Sequence, residues 1–171
     1  MKTNALLIGA GVAVIALIMS NKSNAEGGGS LNFNTLIGFN DYATPEAVSR
    51  IQAIYDELSS RGFTTEQLLW MLSQICFETG IFTNVANYGL MNKNNYAGLT
   101  TVSGGYASYP NIAAFCDAYI TFMTKRANPI GANSLTDFNN RLRQNGYYTE
   151  NPDIYFNGLQ TYYNILSRTI Q

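Results

Sequence analysis

One segment dictates the architecture open to this chain. From Thr64 to Gly80 the sequence runs Leu68-Leu69-Trp70-Met71-Leu72 and then Ile75-Cys76-Phe77, with helical length and apolar residues on nearly every face. A helix without a polar face belongs in the middle of a protein, with other elements wrapped around it. Its ends are written locally. Thr64 with Gln67 three residues on forms a capping-box pattern, and Gly80 is the stop.

The surrounding elements are helices as well. Thr44-Pro45-Glu46 opens one, with Thr44 as N-cap and Pro45 in the first turn. Val48, Ile51, Tyr55 and Leu58 make its apolar stripe, and Gly62 halts it after Arg61. A third helix spans roughly Ile112 to Lys125, with Ile112, Phe115, Tyr119, Phe122 and Met123 inward. A short helix follows Ser134 and closes before Gly146. A last one begins after Asn151-Pro152 and carries Ile154, Tyr155, Leu159, Tyr162 and Leu166. Between Ile81 and Pro110 no helical period survives, and Asn, Gly, Thr and Tyr dominate, as in long loops or a small β-lobe. The expected class is mainly α (α+β): a helical domain with one irregular or β lobe inserted mid-chain. No internal repeat is present.

Ahead of this domain lies a different kind of sequence. Residues 1–20 contain the uncharged run Ala5 to Met19, which as a helix is about 22 Å long. That is short for a bilayer span, though Asn4 and Ser20 can extend it. Lys2 and the amino terminus precede the run and Lys22 follows it, a balance favouring a cytoplasmic N-terminus with the remainder exported. Ser23-Asn24-Ala25 has the small-residue character of a signal-peptidase site, so residues 1–20 are either a transmembrane anchor or a signal segment. Residues 21–34, with Gly27, Gly28, Gly29 and Ser30, are a flexible linker, and the folded domain occupies 35–171. The domain is expected outside the cytoplasm, tethered to a bilayer through residues 5–19, or secreted if the segment is cleaved.

Composition narrows the chemistry. The 171 residues include no histidine, which removes Ser-His-Asp and Cys-His nucleophile systems and His-based zinc sites. Proton transfer is left to carboxylates, tyrosine, lysine or cysteine. Ten Lys and Arg against eleven Asp and Glu give no basic face for nucleic acid. No metal-ligand spacing is visible, and no cofactor is called for.

Most carboxylates have an ordinary place. Glu46, Glu66 and Asp137 sit in first turns, where negative charge suits the helix dipole. Asp56 and Glu57 lie on a solvated face, and Glu150 and Asp153 flank the start of the last helix. Glu78 breaks the pattern. It continues the stripe Leu68, Met71, Ile75, where spacing calls for an apolar residue, and it occupies the last turn, where the dipole disfavours a carboxylate. Burial and dipole both push its pKa toward the range of a general acid. A buried pair with Arg141 or Arg143 is the structural alternative. An acid of raised pKa beside a lobe rich in Asn and Tyr suits protonation of a glycosidic oxygen. Phe82, Tyr88, Tyr96, Tyr106 and Tyr109 offer faces for sugar stacking, and Asn84, Asn87, Asn92, Asn94 and Asn95 offer amides.

Glu78-Thr79-Gly80 at the end of an apolar helix, then Asn94-Asn95-Tyr96-Ala97-Gly98-Leu99, then Tyr109-Pro110, and finally Gly146-Tyr147-Tyr148-Thr149-Glu150 form an ordered set. The set resembles the bacterial N-acetylglucosaminidase family, glycoside hydrolase family 73 of the flagellar peptidoglycan hydrolase type, over about residues 40–171. The resemblance implies a lysozyme-like fold and cleavage of β-1,4 bonds in peptidoglycan glycan strands. It further implies Glu78 as general acid, Tyr147 as the cleft tyrosine, and Asn94, Asn95, Tyr96, Gly98 and Tyr109 along the substrate groove. Bacteriolytic activity in a bacterial envelope or on a bacteriophage, including a membrane-containing virion, follows as an expectation.

One departure bears on mechanism. The family often places a second carboxylate in the β-lobe, whereas residues 81–116 contain no Asp or Glu; Asp117 and Asp41 are the nearest outsiders. A single-acid route is then expected, in which the substrate's N-acetyl group attacks, or its muramoyl 6-hydroxyl as in lytic transglycosylases. Tyr147 would polarise the reacting region or hold the N-acetyl group. Glucosaminidase, and muramidase or transglycosylase, remain open, and a non-catalytic glycan-binding structural virion protein is the rival from another class. Cys76 and Cys116, each on a buried helix, are either core thiols or a disulfide.

Overall fold

The computed structural model describes residues 44–82 and 89–169, so the N-terminal hydrophobic run, the linker and residues 83–88 (with Asn84, Asn87 and Tyr88) lie outside the described residues. The described chain is mainly helical. It contains α1 (Pro45–Ser59), α2 (Thr65–Thr79), α3 (Ile112–Met123), α4 (Leu135–Gln144) and α5 (Pro152–Leu166). Short 3₁₀ turns fall at Met91–Lys93 and Pro129–Gly131. Among these residues the β content is one isolated antiparallel bridge, Thr100 to Tyr106. No helix among them is long and apolar enough to cross a membrane.

The helix starts follow their caps. Thr44 accepts from the Ala47 amide, Ser134 from Asp137, Asn111 from Ala114 and Asn151 from Asp153. Thr64 and Gln67 form the full reciprocal box. Two stops fall two residues earlier than expected. α1 ends at Ser59, with Ser60 and Arg61 already in the turn that Gly62 completes at φ +81°, and α3 ends at Met123 rather than Lys125.

α2 lies at the centre, with every residue from Leu68 to Cys76 buried. Its most extensive partner is α5, and α1 also packs on it. The α2–α5 approach is close because position 158 is glycine: a Cβ there would lie 2.3 Å from the Phe77 ring. Phe77 in turn sits edge-on against Tyr155 at 4.9 Å. Arg61 bridges α1 to α3 by pairing with both Glu57 and Asp117, which gives Asp117 a structural partner. Ile154, expected on the inner stripe of α5, is 57% exposed; Tyr155, Leu159 and Leu166 carry that stripe instead. Cys76 and Cys116 are both free and buried. Burial pushes each thiol up to about 12.

Candidate active site

Glu78 sits in the last turn of α2. The string that follows it is a stop built from three interactions. The Thr79 hydroxyl donates to the Ile75 carbonyl at 2.8 Å and accepts from the Phe82 amide at 3.2 Å. Gly80 takes the left-handed conformation at φ +55°. Ile81 and Phe82 also hold positive φ, +57° and +59°, which costs a non-glycine residue about 1–3 kcal/mol, most for a β-branched one. Both side chains are buried, and that burial holds the strained turn next to the carboxylate.

Among the described residues the carboxyl has no arginine partner. Arg141 pairs with Asp137 at 3.0 Å and donates to the carbonyls of Ala127 and Asn128. Glu78 Oε1 instead accepts from the Tyr155 hydroxyl at 2.7 Å. Burial raises the Glu78 pKa above the usual carboxylate range. The Tyr155 bond and the nearby Tyr147 hydroxyl pull the other way, and the negative charge of Glu150 adds to the rise. Glu150 is thus the carboxylate whose field reaches Glu78, although the sequence assigns it only to a helix start.

The second oxygen, Oε2, faces the loop after the Met91–Lys93 turn. A Cβ at Gly98 would stand 3.9 Å from Oε2 and 3.8 Å from the Tyr106 ring. Gly98, at φ +61°, therefore brings bare backbone to the carboxyl, with the partly exposed Tyr106 beside it. Tyr147 holds the same loop, since its hydroxyl donates to the Ala97 carbonyl. Its ring packs edge-on against Phe122 at 5.4 Å and Tyr155 at 6.3 Å.

Of the residues expected at the site, Glu78, Tyr147 and Gly98 come together. The other four serve the loop that carries Gly98. Asn95 is fully buried; its amide donates to the carbonyls of Leu99 (2.8 Å) and Ala107 (2.9 Å), and its oxygen accepts from the Leu99 amide. Tyr96 is 1% exposed, packed between Phe82 and Phe115, and its hydroxyl donates to Asn94 Oδ1 at 2.9 Å. Asn94 donates to the Tyr109 carbonyl, and the Tyr109 ring lies on Phe115. An open hollow of about 700 Å³ is lined by Glu46, Arg50, Asn94, Tyr96 and Pro110, among others, and Glu78 is not part of its wall.

Tyr119 and Tyr155, which the sequence reading placed on inward stripes, and Gln74, which it did not single out, complete the cluster. Gln74, one turn before Glu78 on the same face of α2, is fully buried. Its Oε1 accepts from the Tyr119 hydroxyl. Tyr155 is the third. A polar pair at i and i+4 on an otherwise apolar helix was the available signal. Among the described residues no group of three His, Cys, Asp or Glu gathers as a metal site. No protein-family model, curated protein or solved structure matches this chain.

Proposed function

We propose that this chain is a peptidoglycan hydrolase that cleaves β-1,4 glycosidic bonds of the cell-wall glycan strand, with Glu78 as general acid. The carrying observation is the state of that carboxyl: partly buried, raised in pKa, held at one oxygen by Tyr155 and approached at the other by a side-chain-free loop. An acid of raised pKa at a site edged by an exposed tyrosine suits proton donation to the oxygen leaving an anomeric carbon. Glu78 gives that proton first and takes one back as the second nucleophile arrives. The hydrophobic run 5–19 would tether the domain to a bilayer on the outer side of the cytoplasmic membrane or in a virion membrane, within reach of glycan. A chain beginning at Glu26 by intact mass would instead mean a secreted form.

The full chain incubated with purified sacculi should release soluble muropeptides, and Glu78→Gln should abolish release. Equal release by both proteins refutes the catalytic assignment and favours the glycan-binding alternative. Residues 81–116 carry no Asp or Glu, so the route is a single-acid one, with attack by the substrate's N-acetyl group or by its muramoyl 6-hydroxyl. Mass spectrometry decides the bond, with anhydro-muramoyl ends marking transglycosylation and reducing GlcNAc ends marking glucosaminidase action.

A further inference from the structure

The sequence offers several aromatic side chains around the loop as faces for a sugar, and the structure sorts those it describes. Phe82 and Tyr96 are buried, and the Tyr109 ring lies on Phe115. Among the described aromatic residues Tyr106 alone is exposed, at 36%. Its backbone is firmly held. Tyr106 pairs with Thr100 in the antiparallel bridge. The Thr101 amide donates to the Gly105 carbonyl at 2.9 Å on one side of that pair, and the Ala107 amide to the Leu99 carbonyl at 2.8 Å on the other. In a pair bracketed this way the two side chains stand together on one face of the ladder. The buried Asn95 amide clips both strands by donating to the Leu99 and Ala107 carbonyls. Leu99 points into the core, so the alternation of an extended strand turns Thr100 outward, and Tyr106 with it.

That outward face reaches the carboxyl. The Cβ position of Gly98 lies 3.8 Å from Tyr106 Cε1 and 3.9 Å from Glu78 Oε2, so the ring and the acid border the same stretch of side-chain-free backbone. A side chain at position 98 would begin between the two, a reason for glycine there in addition to its φ of +61°. We infer that Tyr106 is the glycan-stacking residue of the site: its ring takes the C–H face of the N-acetylhexosamine next to the bond that Glu78 protonates. This rests on the general-acid reading of Glu78 and adds to it the side chain that seats the sugar. In a β-1,4-linked N-acetylhexosamine the ring substituents are equatorial, so axial C–H bonds cover both faces of the pyranose. The electron-rich face of a phenol attracts those hydrogens, and the contact takes apolar surface on both partners out of water. Because the hairpin already fixes the backbone of Tyr106, little freedom is lost when the sugar lands.

The test measures binding apart from catalysis. Isothermal titration of the full chain carrying Glu78→Gln, in detergent micelles, with tetra-N-acetylchitotetraose gives a Kd for the parent. Adding Tyr106→Ala should raise that Kd about ten-fold, the order of one aromatic contact. Tyr106→Phe keeps the ring and should bind within about two-fold of the parent. Val102→Ala alters the other exposed apolar side chain of the same hairpin and should leave the Kd unchanged. If Tyr106→Ala disturbs the hairpin, Tyr106→Leu keeps an apolar side chain in the bridge without the ring and should bind as weakly. A folded Ala or Leu variant that binds like the parent overturns the assignment, as does a parent that does not bind the oligosaccharide. Equal weakening by Val102→Ala, or by Tyr106→Phe, overturns it too, since the ring would then not be the contact. A wild type that binds the oligosaccharide through Tyr106 yet releases no muropeptide sinks the general-acid reading and leaves the stacking residue in place.

Discussion

Gly158→Ala puts two effects of opposite sign into one methyl group. Inside α5 the change should gain about 1 kcal/mol from helix propensity alone. The structure opposes that gain. The new Cβ would lie 2.3, 2.6 and 2.7 Å from three atoms of the Phe77 ring, where carbon atoms normally rest about 3.5 Å apart or more, so the ring or the helix must retreat by about 1.2 Å. Overpacking of this kind costs about 1–3 kcal/mol. The balance is a net loss of about 1 kcal/mol, or roughly 4 °C in Tm for a domain of this size. Phe77 lies edge-on against Tyr155, so the displacement also reaches the 2.7 Å bond from Tyr155 to Glu78. Differential scanning calorimetry of the full chain measures the first effect and muropeptide release the second. A Tm that rises by several degrees would show that propensity wins, and the tight α2–α5 packing would then not limit this position.

Glu78→Gln should stabilise the fold while destroying activity. Folding raises the carboxyl's pKa, so its favourable contribution is full below the unfolded carboxylate range and is lost as pH rises through the folded value. The variant should therefore melt above wild type at about pH 7.5, with the advantage gone near pH 4; a Tm difference that does not change with pH refutes this. Asn95→Ala removes three hydrogen bonds, two of them buried, and leaves the Leu99 amide and the Ala107 carbonyl without that partner, while the Leu99 carbonyl keeps the Ala107 amide, a loss of about 2 kcal/mol. Limited proteolysis should then cut the 99–107 loop before any global unfolding, and wild-type resistance would count against the clip. Cys76 and Cys116, with thiols pushed up to about 12, should resist alkylation at neutral pH until the chain is denatured. Rapid labelling of native protein would show that the two helices are more open than described.

The parts of this molecule that were legible in its sequence are those decided within a few residues. A cap is a side chain meeting an amide two or three positions away, so Thr44, Thr64, Ser134 and Gly80 mark their helix ends wherever the rest of the chain goes. Glu78 stood out for a similar reason: helical spacing alone says that its position should be apolar. The loop had no such ruler. Asn94, Asn95, Tyr96 and Tyr109 were expected to face a ligand, because in aperiodic sequence an amide or a phenol pointing inward reads the same as one pointing outward. The structure turns Asn95 and Tyr96 fully inward, and the reason is accounting of backbone groups. A segment with one β-bridge and no helix beyond a single turn must find partners for its buried amides and carbonyls, and Asn95 supplies three of them. The partners of Glu78 were hidden for the converse reason. Gln74 is near in sequence, but Tyr119 and Tyr155 arrive from α3 and α5, and on those helices they fit an apolar stripe as well as phenylalanine would. Only the hydroxyl distinguishes them, and its direction is set by what α2 presents. The polarity around the candidate acid is thus a tertiary property, and Gln74, which accepts from Tyr119 there, lies one helical turn from the residue the sequence singled out.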